Sequence, residues 1–93
     1  MGAEDFVWVF QGERARFPSA VFSSKETAID WIARHRLSGM LSKYPVDIPV
    51  YEWSIAANFF TPRREEHRTP EFIQSFSSAC IEDSQYINGV AID

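Results

Sequence analysis

The feature that most constrains this chain is the run Phe6-Val7-Trp8-Val9-Phe10, five β-branched or aromatic residues without a polar interruption. A strand with one face in water alternates apolar and polar residues, so an unbroken run predicts a central strand buried on both faces. Gln11-Gly12 ends it. Arg16 to Phe22 alternates imperfectly, and Pro18 cannot donate to a ladder, which predicts an edge strand or a bulge there. The two segments are expected to pair as a hairpin.

Ser23-Ser24-Lys25-Glu26 offers a capping box: a hydroxyl for an orphan amide and a carboxylate three residues on. Ala28, Trp31, Ile32 and His35 then fall on one stripe at helical spacing, Asp30 and Arg34 are placed to pair on the outer face, and Gly39 supplies a left-handed stop. Met40 to Tyr44 reads as a short strand closed by Pro45. Pro49 suits a helix start, with Val50, Trp53, Ile55 and Ala57 on the apolar side, Asn58 as left-handed cap, and Phe59-Phe60 tucked back. Thr61 to Arg68 reads as an exposed, mobile loop between two Thr-Pro breaks. Thr69-Pro70 caps and starts a third helix with Phe72, Ile73 and Phe76 inward. Ile81 to Ile87 reads as a strand, and Asn88-Gly89 before Val90-Ala91-Ile92 is a tight-turn signal for a terminal hairpin.

The order ββαβααβ predicts an α+β fold, a small, mostly antiparallel sheet with helices packed on one face. Its expected core is Phe6, Trp8, Phe10, Trp31, Ile32, Phe72 and Phe76. At 93 residues the chain is read as one domain, 1–93, able to bury roughly 60% of its unfolded surface. Hydrophobic residues at 45% and aromatics at 15% argue against disorder. No apolar run approaches the roughly 20 residues that span a bilayer, and Met1 to Asp5 lacks the marks of a leader, so no membrane partner and a cytoplasmic location are expected. A single cysteine fits that compartment.

The formal charge of −4 argues against a general nucleic-acid binder. The charge is uneven: residues 1–68 balance nine acids against nine bases, and the excess lies in Glu71, Glu82, Asp83 and Asp93. Arg63, Arg64 and Arg68 form the one basic cluster, with Glu65 and Glu66 interrupting it. Cys80 has only His35 and His67 as candidate bases; one is read as packing in a helix, the other as part of a loop, so Cys80 is assigned to the core. Two histidines and one cysteine this far apart lack the ligand spacing of structural zinc. Glycines are isolated, so no phosphate loop is present. The expectation is a protein without catalytic residues, cofactor or tightly bound metal, and without hydrolase activity that depends on Cys80.

Val7-Trp8-Val9-Phe10, Val21-Phe22-Ser23-Ser24, Trp31-Ile32 through His35, Leu37-Ser38-Gly39, Tyr44-Pro45, Val50-Tyr51 with Trp53, and Pro70-Glu71-Phe72-Ile73 with Phe76 together form a pattern over most of the chain. In it the chain resembles a family of small bacterial proteins without an established function. The resemblance implies a bacterial source and a shared compact fold, and assigns no active site. Relatives tend to carry histidines before the final Tyr-x-x-Gly, where this chain has Asp83, Ser84 and Gln85 ahead of Tyr86 and Gly89.

By elimination the expected role is a non-enzymatic protein-binding module, an accessory or immunity-type factor. Its expected surface joins the acids Glu82 and Asp83 to the aromatics Tyr44, Tyr51 and Trp53. Two alternatives stand beside it: a small-molecule sensor with Tyr44, Tyr51 and Trp53 as an aromatic pocket, and a nucleic-acid modulator using Arg63, Arg64 and Arg68. An uncovered aromatic patch would equally suit a homodimer.

Overall fold

The computed structural model describes residues 5–92, so the charge of Asp93 and the reading of Met1 to Glu4 lie outside the described residues. Five strands form one antiparallel sheet in the order β2-β1-β3-β4-β5: β1 (Phe6–Gly12), β2 (Ala20–Phe22), β3 (Gly39–Pro45), β4 (Asp83–Ile87) and β5 (Val90–Ile92). Pro18 falls outside β2, which keeps to three residues at the sheet edge, as a residue without a donor requires. β1 is paired on both sides, by β2 and by β3, as an interior strand is expected to be, but only Trp8 and Phe10 of its run are buried, so one face is covered and not both. Gly89, at φ 87°, turns β4 into β5, completing the hairpin that Asn88-Gly89 signals.

Helix α1 (Lys25–His35) lies across one face of this sheet. Its cap is Ser24, whose hydroxyl accepts from the Thr27 amide at 3.2 Å, one residue later than a box built on Ser23 and Glu26 would place it. Replacing Ser24 with Ala is expected to cost about 1 kcal/mol, read as a melting point lower by roughly 4–8 °C. The stop is Arg36 at φ 55°, and Gly39 is already in β3. The Arg36 amide donates to Ala33 and the Leu37 amide to Ile32, which ends the helix three residues before the expected glycine and seats Leu37 against the core. Asp30 and Arg34 make no ion pair among the described residues.

Trp8, Phe10, Ala28, Ile32, Leu41 and Tyr86 are the core, with Phe22, Trp31 and Leu37 packed on it. Of the α1 stripe, Ala28 and Ile32 are buried while His35 is exposed, its ring 6.0 Å from Trp31. Phe6, half-buried, lies under the ammonium of Lys43.

Phe72 and Phe76 belong to a separate aromatic cluster, contrary to the single core expected. There α2 (Val50–Ala56), a 3-10 turn (Glu65–Arg68) and α3 (Pro70–Gln74) gather Tyr51, Phe60, His67, Phe72 and Phe76 ring against ring. Thr69 caps α3 and Pro70 opens it as the sequence indicates, and Asn58 takes the left-handed conformation after α2. The buried side of α2 is Tyr51 and Ser54, three residues apart, in place of the expected set Val50, Trp53, Ile55 and Ala57. The cluster meets the sheet through α2 and β3, and the molecule measures 46 × 32 × 22 Å, with a radius of gyration of 14.9 Å against about 12 Å for a compact chain of this length.

Candidate functional site

Side chains alternate across a sheet, so the strand registers sort every residue onto one of two faces. Trp8, Phe10, Leu41 and Tyr86 point toward α1. Their neighbours point the other way: Val7, Val9 and Gln11 from β1, Met40, Ser42 and Tyr44 from β3, Asp83, Gln85 and Ile87 from β4, Val90 and Ile92 from β5, and Val21 from β2. This second face carries no helix. A sheet covered on one side ordinarily turns polar residues to water on the other. Here eight of those twelve positions are apolar. Among the described residues, nine large hydrophobic side chains are exposed, and six of them stand on this face: Val21, Met40, Tyr44, Ile87, Val90 and Ile92. Scattered apolar residues need no explanation, but six on one face do, even with Gln11, Ser42, Asp83 and Gln85 set among them.

The face is hollowed at one end. The β1–β2 connection rises over it, and between that connection and the strands lies a trough of about 570 Å³, floored by Val9, Gln11, Met40 and Ser42 and walled by Ala15, Pro18 and Tyr44. Local hydrogen bonds fix the wall. The Gln11 side-chain amide donates to the Ala15 carbonyl at 3.0 Å, the Ala15 amide to Gly12 at 3.0 Å, and the Glu13 amide to Ser38 at 2.9 Å. Arg14 holds φ 69° at the bend. The lining offers amides, hydroxyls and the exposed side chains of Glu13 and Arg14, and holds no histidine or cysteine.

The residues singled out from the sequence do not come together. Tyr44 lines the trough and Asp83 lies on the same face, opposite Ser42. Glu82 is tied up elsewhere, 3.4 Å from Lys25 and 4.0 Å from Lys43, and those ammonium groups also rest over the Trp8 ring. Tyr51, expected in a partly exposed patch, is buried, and its hydroxyl donates to the His67 carbonyl at 2.8 Å. Trp53 is half-buried against Phe59, which stands exposed where it was expected to tuck in. Tyr44, Tyr51 and Trp53 therefore form no common pocket.

The basic segment is more ordered than a mobile loop. The His67 Nδ1 accepts from the amides of Arg63 and Arg64 at 3.0 and 3.3 Å, and its ring lies 4.9 Å from Phe72. The Arg68 guanidinium donates to the carbonyls of Arg64 and Pro62, and Arg64 pairs with Glu66 at 3.5 Å. Arg63 is exposed. Cys80 is exposed too, where a core position was expected, because it lies in the turn between α3 and β4 with its amide bound by the Ser78 hydroxyl. Among the described residues no three His, Cys, Asp or Glu side chains stand close enough to hold a metal ion. Sequence reasoning missed the apolar face, although its signal was present in the missing alternation of Phe6 to Phe10.

No helix among the described residues is long and apolar enough to cross a membrane. Comparison with known proteins finds no match among curated proteins or solved structures. The signature of a domain of unknown function, DUF7710, matches residues 7–92, from the start of the apolar run in β1 to the end of β5.

Proposed function

Since the chain belongs to the DUF7710 family, a domain of unknown function, we propose that it is a non-enzymatic protein-binding module whose interface is the uncovered face of the sheet. The observation that carries this reading is the gathering of six exposed hydrophobic side chains on that one face. Burying such a set, with Val7 and Val9, removes apolar area from water at roughly 25 cal/mol per Å², and the neutral amides of Gln11 and Gln85 can pair with a partner's backbone. Asp83 adds a negative charge at the face. In a bacterium such a module acts as an accessory or immunity-type factor, by occupying a partner's surface and not by chemistry. A cytoplasmic setting suits a chain with one exposed, unpaired cysteine.

A second reading, a small-molecule sensor, draws support from the trough, whose 570 Å³ falls in the range of roughly 300–1,000 Å³ typical of ligand sites. The nucleic-acid reading draws none, since Arg64 and Arg68 are engaged with Glu66 and with backbone carbonyls.

Met40→Glu tests the proposal, because it puts a charge in the middle of the face at an exposed position. Its melting point is expected to stay within about 4 °C of the wild type, as for surface substitutions in general. Wild type and Glu82→Gln are expected to capture the same protein from the native lysate, and Met40→Glu to lose it. Equal capture by Met40→Glu removes the face as the interface. A metabolite that raises the melting temperature of the wild type alone, with no protein captured, replaces this reading by the sensor.

A further inference from the structure

Resting on the reading of the uncovered face as an interface, we infer that its occupant is a second copy of this chain, stacked sheet on sheet about a two-fold axis. The first strand is written for burial on both sides, apolar at every position from Phe6 to Phe10, and β5 turns Val90 and Ile92 outward onto the same face. The described helices are already committed, α1 to the opposite face and α2 and α3 to the cluster around Tyr51. What completes the face must therefore be largely apolar and nearly uncharged.

A second copy meets those terms. Two-fold pairing sets the same Val, Ile, Met and Tyr side chains against themselves, in the face-to-face packing of a β-sandwich with sheets about 10 Å apart. Asp83 is the single ionisable acid or base among the twelve outward strand positions, so two copies meet there without opposed rows of like charge. A partner recognised by charge would need a charged face to read.

Area sets the strength. At about 4.8 Å between strands and about 3.3 Å per residue, the strands project a footprint of roughly 400 Å². The ridged side chains and the wall formed by the β1–β2 connection, where Phe17 is exposed, present more than this. A contact smaller than the ~800 Å² that each partner gives a standard interface fits a dissociable dimer in the micromolar range. Each copy carries −4 overall, so salt screens a repulsion between them and strengthens the pair.

Sedimentation equilibrium of the purified full chain over about 1–500 µM tests this. The expected result is a monomer–dimer equilibrium, tighter at about 0.5 M salt than at about 0.05 M, and a Met40→Glu chain that stays monomeric throughout with an unchanged circular dichroism spectrum. Should Met40→Glu fold poorly, Val90→Glu, at a more exposed position of the same face, serves in its place. A wild type that is monomeric at every concentration overturns the second copy. If protein capture from lysate is then still lost in Met40→Glu, the face remains an interface for a different partner. A dimer unaffected by both substitutions places the contact at a sheet edge and overturns the stacked arrangement.

Discussion

Gly39→Ala is expected to lower the melting point by roughly 12 °C or more, since overpacking against atoms that cannot move costs about 3 kcal/mol and a domain of this size loses about 4–8 °C per kcal/mol. The reason is contact and not backbone conformation. Gly39 pairs with Gly12 across β1 and β3, and a Cβ at Gly39 would stand 2.8 Å from the Gly12 Cα and 2.8 Å from the rim of the Phe10 ring, and closer still to the Gln11 carbonyl oxygen. Two of these are backbone atoms of a strand held on both sides, so relief means separating β1 from the middle strand. Because β3 also pairs with β4, with Gly39 opposite Tyr86, the disturbance reaches the core. Gly12→Ala is the control. Its Cβ would meet nothing nearer than 3.7 Å, and thermal denaturation is expected to show a far smaller change. Equal melting points for the two variants would refute the close approach of β1 and β3.

Leu41→Ala is expected to destabilise the chain by about 3 kcal/mol, within the 2–5 kcal/mol span for truncating a buried aliphatic side chain. Leu41 has no exposed surface, lies opposite Phe10 on the middle strand and belongs to the cluster that includes Ile32 of α1. Its neighbour Met40 points to the other face, and Met40→Ala is expected to change stability by less than about 0.5 kcal/mol. Urea denaturation of the two variants measures the asymmetry of the sheet directly. A loss at Met40 equal to that at Leu41 would mean that the second face is packed within the single chain.

Most elements announce themselves through chemistry local in sequence. Pro45 ends β3, Thr69 and Pro70 start α3, Asn58 follows α2 and Asn88-Gly89 turns β4 into β5, because each residue acts on its own few backbone atoms. The features that escape local reading are set by distant partners. Whether Glu82 is free or paired depends on Lys25, 57 residues away, and nothing near Glu82 reveals it. The three-residue step from Tyr51 to Ser54 became the buried side of α2 because Phe60, Phe72 and Phe76 arrive from later in the chain. Arg36 took the left-handed place expected of Gly39 because seating Leu37 decided where the helix stops. The apolar run in β1 was legible as a demand for cover on both faces. It could not say that α1 would meet only one of them. Of the residues named for a surface, Tyr44 and Asp83 lie on the uncovered face and Trp53 is partly exposed, while Tyr51 is buried because the later aromatics decide which side of α2 turns inward.

Oxidative footprinting of Met40 tests the claim that this face is the interface most directly, since a thioether reports its own accessibility without any substitution. The side chain is 38% exposed in the isolated chain, and Phe59, 52% exposed away from the sheet, is an internal reference. In the associated protein Met40 is expected to oxidise several-fold more slowly than in the dilute, free chain, with Phe59 labelled equally in both. Equal oxidation of Met40 in the two states, with protection appearing instead at Phe59, would contradict the account.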